Sequence, residues 1–337
     1  MTSTVLLTGI SGYIGLHCAK QLLEAGFFVR GSVRSVEKSR EVLDTLAACA
    51  VDTRNLSIVE LDLTSDAGWS EAITGCDFLM HVASPFAIAN PRTEEEMITP
   101  AVDGTLRAMR AALGAGVKRV VLTSSVVAMH GSMKVGKFTP ETWTDVGSPY
   151  VNTYIKSKTL AERAAWDFVK TAGVGSPELV VINPGAVFGP PLGRDISGQS
   201  MTSVDQMLRG KIPMVPNIAF AMVDVRDVSQ LHVQALTAPN VQGQRFIAAH
   251  AETFSFGEIA QQLKDAGYKG PSTRKAPDFM IKLLALFDRE AQGMVPMLGM
   301  RAEPDTSATR LAFDWMPIPF SKTLKDSAEA VKRFKLD

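Results

Sequence analysis

The 337-residue chain has no excess charge of either sign, with Lys+Arg and Asp+Glu at 35 each. No positive field is available to hold a nucleic-acid backbone or an anionic membrane, so neither partner is expected. Cysteine is scarce. Cys18, Cys49 and Cys76 are the only three, match no metal-ligand spacing, and by their odd number suit a reducing compartment. Long apolar runs are missing too. The most apolar late stretch, Phe279 to Phe287, is cut by Lys282 and closed by Asp288, far short of a membrane span. The N-terminus carries no basic segment ahead of Val5-Leu6-Leu7, so a signal peptide is not expected and a cytoplasmic location is.

What is present is ordinary in bulk, 46% hydrophobic and 21% charged, and long enough for one large domain or two joined ones. Short β-type runs alternate with helical patterns through the first half. Strands are expected at Thr4–Thr8, Phe27–Val33, Leu56–Leu61, Asp77–Val82, Arg119–Ser124 and Leu179–Asn183. Helices are expected at Tyr13–Ala25, Val36–Ala50, about Glu94–Leu113 and about Tyr150–Thr171. Such alternation argues for an α/β fold, a doubly wound parallel-sheet Rossmann fold with helices on both faces. After Asn183, Pro and Gly become dense. A strand at Gln244–Ala249, a helix near Phe256–Lys264 with a Ser255/Glu258 capping box, and a last helix near Ser321–Phe334 follow. Residues 1–183 thus read as a cofactor-binding domain, with 221–250 returning to it. Residues 184–220 and 251–337 read as a smaller C-terminal substrate-binding domain.

The run Thr8-Gly9-Ile10-Ser11-Gly12-Tyr13-Ile14-Gly15 joins the first strand to the first helix. Glycines there permit a tight turn and close approach of a pyrophosphate, which the helix N-terminus attracts through its unpaired N–H groups. An acid that would hold ribose hydroxyls is absent from the tip of the second strand. Arg34 and Lys38 stand there instead, placed to meet a 2′-phosphate, which points to NADP(H).

Tyr154 and Lys158 are four apart on an expected helix, hence on one face. Carbonyl reduction needs a proton donor, and a phenol with pKa near ~10 needs a nearby ammonium to work at neutral pH. The strand ahead of that helix ends in Thr123-Ser124-Ser125, where a serine hydroxyl faces the ligand crevice and can polarise a substrate oxygen. Spacing alone leaves Ser124 and Ser125 both open.

Glycine loop, serine and Tyr-Lys pair together resemble the extended short-chain dehydrogenases. The stretches Ser157-Lys-Thr-Leu-Ala-Glu-Arg-Ala-Ala-Trp166, Arg34-Ser-Val-Glu-Lys38, Ser84-Pro85-Phe86 and Asn183-Pro-Gly-Ala-Val-Phe-Gly-Pro190 are similar to the dihydroflavonol and cinnamoyl-CoA reductase branch and its microbial aldehyde, ketone and methylglyoxal reductases. The resemblance implies Ser125, Tyr154 and Lys158 as catalytic residues. It also implies cofactor contacts from Asp62-Leu63, from Val82-Ala83-Ser84, from Thr123, and from Pro184, Gly185 and Val187. Phe86, Phe188 and Met222 are expected in an apolar substrate wall. The plant flavonoid enzymes place Asn five residues after the serine; here that position is His130, which argues against a flavonoid and for another substrate contact. The expected activity is NADPH-dependent reduction of an aldehyde or ketone to an alcohol, by a monomer or homodimer. The alternatives are a nucleotide-sugar epimerase or dehydratase, a hydroxysteroid-type dehydrogenase using NAD, and a non-catalytic NADP-sensing regulator.

Overall fold

The computed structural model describes residues 3–85, 91–194 and 198–335. Among the described residues twelve strands follow in chain order: β1 (Thr4–Thr8), β2 (Phe28–Val33), β3 (Leu56–Glu60), β4 (Phe78–His81), β5 (Arg119–Thr123), β6 (Val135–Phe138), β7 (Glu178–Pro184), β8 (Ala186–Phe188), β9 (Ala219–Asp224), β10 (Gln244–Ala248), β11 (Thr253–Ser255) and β12 (Arg301–Pro304). Seven form one sheet in the order β10-β7-β5-β4-β1-β2-β3. Every pairing in it is parallel.

Period-two alternation explains why this sheet is covered on both faces. Val5, Leu7, Val121, Val180 and Ile182 point into one core, shared with the Tyr13–Glu24 and Val225–Ala235 helices. Leu6, Leu79, Val120, Leu122, Leu179 and Val181 point into the other, against Ala108, Met109 and Ala165 of the Glu95–Gly114 and Thr153–Ala172 helices. With both faces buried, the strands lose the polar half of their pattern and read as continuous apolar runs.

The chain moves outward from β1 in one direction to β2 and β3, then returns to β4 on its other side. That reversal opens a crevice beyond the C-terminal ends of β1 and β4, where ligands bind in open α/β sheets. The glycine loop and the segment after His81 both lie there.

Late elements divide. β10 joins the main sheet beside β7, and the Val225–Ala235 helix packs against the Tyr13–Glu24 helix. β8, β9 and β11 form a separate three-stranded sheet, and β6 pairs with β12. The small sheet has its own core, including Met201, Val204, Ile259, Phe320 and Leu324. β9 therefore belongs with the smaller sheet although it lies mostly inside the 221–250 segment.

No helix among the described residues is long and apolar enough to cross a membrane, and no group of potential metal ligands occurs among them.

Candidate active site

The glycine loop is shaped by close approach. Gly9 adopts φ +71, and a Cβ there would stand 2.9 Å from the Ala83 backbone. A Cβ on Gly15 would stand 2.1 Å from the Gly9 carbonyl, so only glycine lets the helix start against the loop. Gly9 N donates to Ser32 Oγ (3.3 Å) and Ile10 N to Ser32 O (3.2 Å), tying the loop to β2. Gly12 is the N-cap of the twelve-residue Tyr13–Glu24 helix, and no side chain caps it. That leaves helix N–H donors for an anion. Ser11 and Ile14 are partly exposed beside it. The Tyr13 side chain turns inward and donates to Gly189 O at 2.7 Å, so it is the Tyr13 backbone that remains at the loop.

Arg34 is exposed just past β2. Lys38 is exposed as well, with its ammonium paired to Glu41 at 2.6 Å. Asp62 accepts from the backbone and hydroxyl of Thr64, which hold its carboxyl below the usual range with smaller help from the Arg34 and Arg107 charges. Leu63 packs against Gly104. Beyond β4, Val82 N and Ala83 N donate to Thr8 Oγ1 at 3.1 and 3.2 Å, while His81 Nδ1 bonds the same hydroxyl at 2.9 Å. These bonds fix the backbone of the segment rather than presenting His81, which is buried. Phe86 lies outside the described residues.

The adjacent serines part company. Ser124 turns into the interior and donates to Glu162 Oε2 at 2.5 Å. Ser125 is hydrogen bonded to the Tyr154 phenol. Tyr154 and Lys158 rise from the first turns of the Thr153–Ala172 helix. That helix begins at Thr153 rather than Tyr150 because Asn152 caps it, accepting from Ile155 N at 3.0 Å. Burial pushes the Tyr154 phenol above its ordinary pKa and the Ser125 bond pulls it back in part. Lys158 Nζ lies 6.0 Å from the centre of the Tyr154 ring and donates to Ser84 Oγ at 2.9 Å. Burial lowers the pKa of that ammonium to about 8. The hydrogen bond from Ser125 draws the Tyr154 pKa down, while Lys158 donates to Ser84.

Thr123 Oγ1 bonds His232 Nε2 at 2.7 Å. Pro184 O accepts from Val126 N at 3.0 Å. A Cβ on Gly185 would stand 2.3 Å from Ala221 O, so β7 runs onto β9 only through glycine. Val187 stays partly exposed. Phe188 and Met222 are both buried. They are 4% and 0% exposed inside the core of the small sheet, where β8 and β9 place them on the covered face. His130 is buried against Phe138 with ring centres 4.5 Å apart, and its Nδ1 has no hydrogen-bond partner. Burial lowers the His130 pKa to about 4, leaving the ring neutral.

Sequence spacing assigned no role to Arg245. It lies 83 positions from Glu162, yet its Nε donates to Glu162 Oε1 at 2.5 Å. Only the pairing of β10 with β7 brings the two together.

A family model described as the NAD dependent epimerase/dehydratase family matches residues 5–249. The chain belongs to that family. Over 270 residues it is 33% identical to a Candida albicans protein assigned as an NADPH-dependent methylglyoxal reductase, covering 74% of this chain and 79% of that one. It is 35% identical over 280 residues to cinnamoyl-CoA reductase 1 of Arabidopsis thaliana, covering 82% and 78%. Its fold is that of the yeast methylglyoxal/isovaleraldehyde reductase solved with NADPH, with a TM-score of 0.81 over 98% of this chain and 99% of that one, at 23% identity. The chain is accordingly an enzyme of the oxidoreductase type on a Rossmann fold.

Proposed function

We propose that the protein reduces a small aldehyde or ketone with NADPH, using Tyr154 as proton donor, Ser125 as the group that polarises the carbonyl, and Lys158 as the cation beside them. The observation that carries this reading is the hydrogen bond between Tyr154, on the Thr153–Ala172 helix, and Ser125, just past the C-terminal end of β5. The activities named for the two relatives, a methylglyoxal reductase and a cinnamoyl-CoA reductase, support the same chemistry.

The residues present fit the dinucleotide. Gly9 and Gly15 have no room for a Cβ, so the loop closes tightly on Ala83 and on the start of the helix, and that uncapped helix start suits a pyrophosphate. Exposed Arg34, following a β2 tip that carries no acid of its own, suits a 2′-phosphate. Bound NADPH supplies the hydride that goes to the carbonyl carbon.

The protein's residues do the rest. Tyr154 gives its phenol proton to the carbonyl oxygen as charge develops there. The Ser125 hydroxyl donates to the same oxygen, an interaction strongest in the transition state. The half-buried Lys158 cation favours the phenolate that remains. Neutral His130, with an unused nitrogen, contributes a hydrogen bond to a polar group of the substrate. The substrate class is a small carbonyl compound, and the site of action is the cytoplasm.

NADPH oxidation measured with methylglyoxal, α-diketones, β-keto esters and aromatic ketones tests the reading. Tyr154→Phe is expected to bind NADPH normally and lose roughly 100- to 10,000-fold in kcat, the range for a general acid. Near-normal turnover by that variant would sink the mechanism.

A further inference from the structure

Glu162 is 1% exposed and receives donors from four other residues. Its Oε1 accepts from Arg245 Nε at 2.5 Å and Trp166 Nε1 at 3.3 Å. Its Oε2 accepts from Ser124 Oγ at 2.5 Å, Asn183 Nδ2 at 2.8 Å and Arg245 Nη2 at 3.3 Å. A buried carboxylate needs a compensating charge, and Arg245 provides it. The guanidinium is itself fixed, lying 3.7 Å from the Trp143 ring centre and donating to Pro140 O and Thr142 O.

Two of those contacts lead to the catalytic serine. Ser124 is its chain neighbour. Asn183 Nδ2 donates to Ser125 O at 3.2 Å as well as to Glu162. The amide is held in this orientation although its Oδ1 is left buried without a partner. Turned over, Oδ1 would face two acceptors, so Glu162 and Ser125 O together dictate the orientation. Glu162 also sits one helical turn beyond Lys158, which sits one turn beyond Tyr154. Both sides of the proton-transfer pair are therefore referred to one carboxylate: Tyr154 through the helix, Ser125 through Ser124 and Asn183.

We infer that Glu162 is a positioning residue, which through Ser124 and Asn183 fixes the chain around Ser125 and so holds its hydroxyl on the Tyr154 phenol. The inference rests on the proposed roles of Ser125 and Tyr154. Glu162 touches neither substrate nor cofactor in this scheme. Its interaction with Arg245 links a strand late in the chain to the geometry of the early catalytic segment.

Glu162→Gln keeps the shape but puts an amide N–H₂ where donors already point. Asn183→Ala removes the bridge and leaves the Glu162–Arg245 pair intact, so it serves if the first variant folds poorly. For each, kcat with methylglyoxal, NADPH affinity by fluorescence titration, and the Tyr154 ionisation by NMR of ring-labelled tyrosine are compared with wild type. The expectation is a drop in kcat of about 10- to 100-fold, as for misplacement by about an ångström, with NADPH affinity within about twofold. The Tyr154 titration should move to higher pH, since the Ser125 bond that lowers it is loosened. A folded variant with wild-type kcat and an unmoved Tyr154 titration overturns the inference. So does a parallel fall of kcat, NADPH affinity and melting temperature with that titration unmoved. Tyr154→Phe, run alongside, separates the two ideas: if it stays active the mechanism fails, whereas an active Glu162→Gln beside an inactive Tyr154→Phe removes only the role of Glu162.

Discussion

Lys158 donates to Ser84 Oγ at 2.9 Å, so the ammonium on the Thr153–Ala172 helix is held by the segment that follows β4. Its charge is also marginal, because burial lowers its pKa to about 8. The kcat/KM for NADPH reports the free enzyme and should therefore fall as pH rises through about 8. Lys158→Arg, always charged, should lose that limb of the profile even if its overall rate is lower.

The same residue sets a cost on stability. Its folded pKa of about 8 lies below its ordinary 10.5, so between those values the unfolded chain binds a proton that the folded one does not. Stability therefore rises with pH across that window, and the penalty from Lys158 is fully present below about 8. Lys158→Met should melt higher than wild type at pH ~7, by an amount that shrinks toward pH ~10. A variant that melts lower at neutral pH would contradict this account.

Four of the five histidines titrate the other end of the range. Burial lowers the pKa of each of His17, His81, His130 and His232 to about 4. Their unfolded pKa is near ~6.5, so the unfolded state binds more protons between about 6.5 and 4. The stability they allow is complete above about 6.5 and is lost as pH falls through that window. Urea unfolding at stepwise pH should give a midpoint that drops steeply below about 6.5, before most carboxylates protonate.

Cofactor choice is expected to hinge on Arg34. Removing a charge-assisted hydrogen bond to a 2′-phosphate should cost about 10- to 100-fold in NADPH affinity, with NADH affinity little changed. Lys38→Ala should do less, because its ammonium is exposed and shared with Glu41. Equal losses for NADPH and NADH in Arg34→Ala would remove the 2′-phosphate role.

Gly12 and Gly15 provide an internal comparison in the loop. A Cβ would meet the Gly9 carbonyl at 3.3 Å from Gly12 but at 2.1 Å from Gly15. Gly15→Ala should lower stability by about 1–3 kcal/mol through forced backbone movement and weaken NADPH binding strongly. Gly12→Ala should be milder in melting temperature, read by differential scanning calorimetry.

The sequence by itself determined the main sheet and named the candidates for its chemistry. Runs such as Val5-Leu6-Leu7 and Val120-Val121-Leu122 are apolar on both faces, which demands helices on both sides, and the glycine loop can sit only between a strand and a helix. Tyr154 and Lys158 were legible because four positions on a helix is one turn. Local pattern could not separate Ser124 from Ser125, since both follow the same strand. Their different partners, Glu162 and Tyr154, come from another helix. Nor could it place Phe188 and Met222, whose burial depends on β8 pairing with β9 across more than thirty positions of chain. Burial, more than spacing, decided the electrostatics. Lys158 meets Ser84 beyond β4, and Arg245 reaches Glu162 in a poorly solvated interior, because the sheet order brings residues far apart in the chain together.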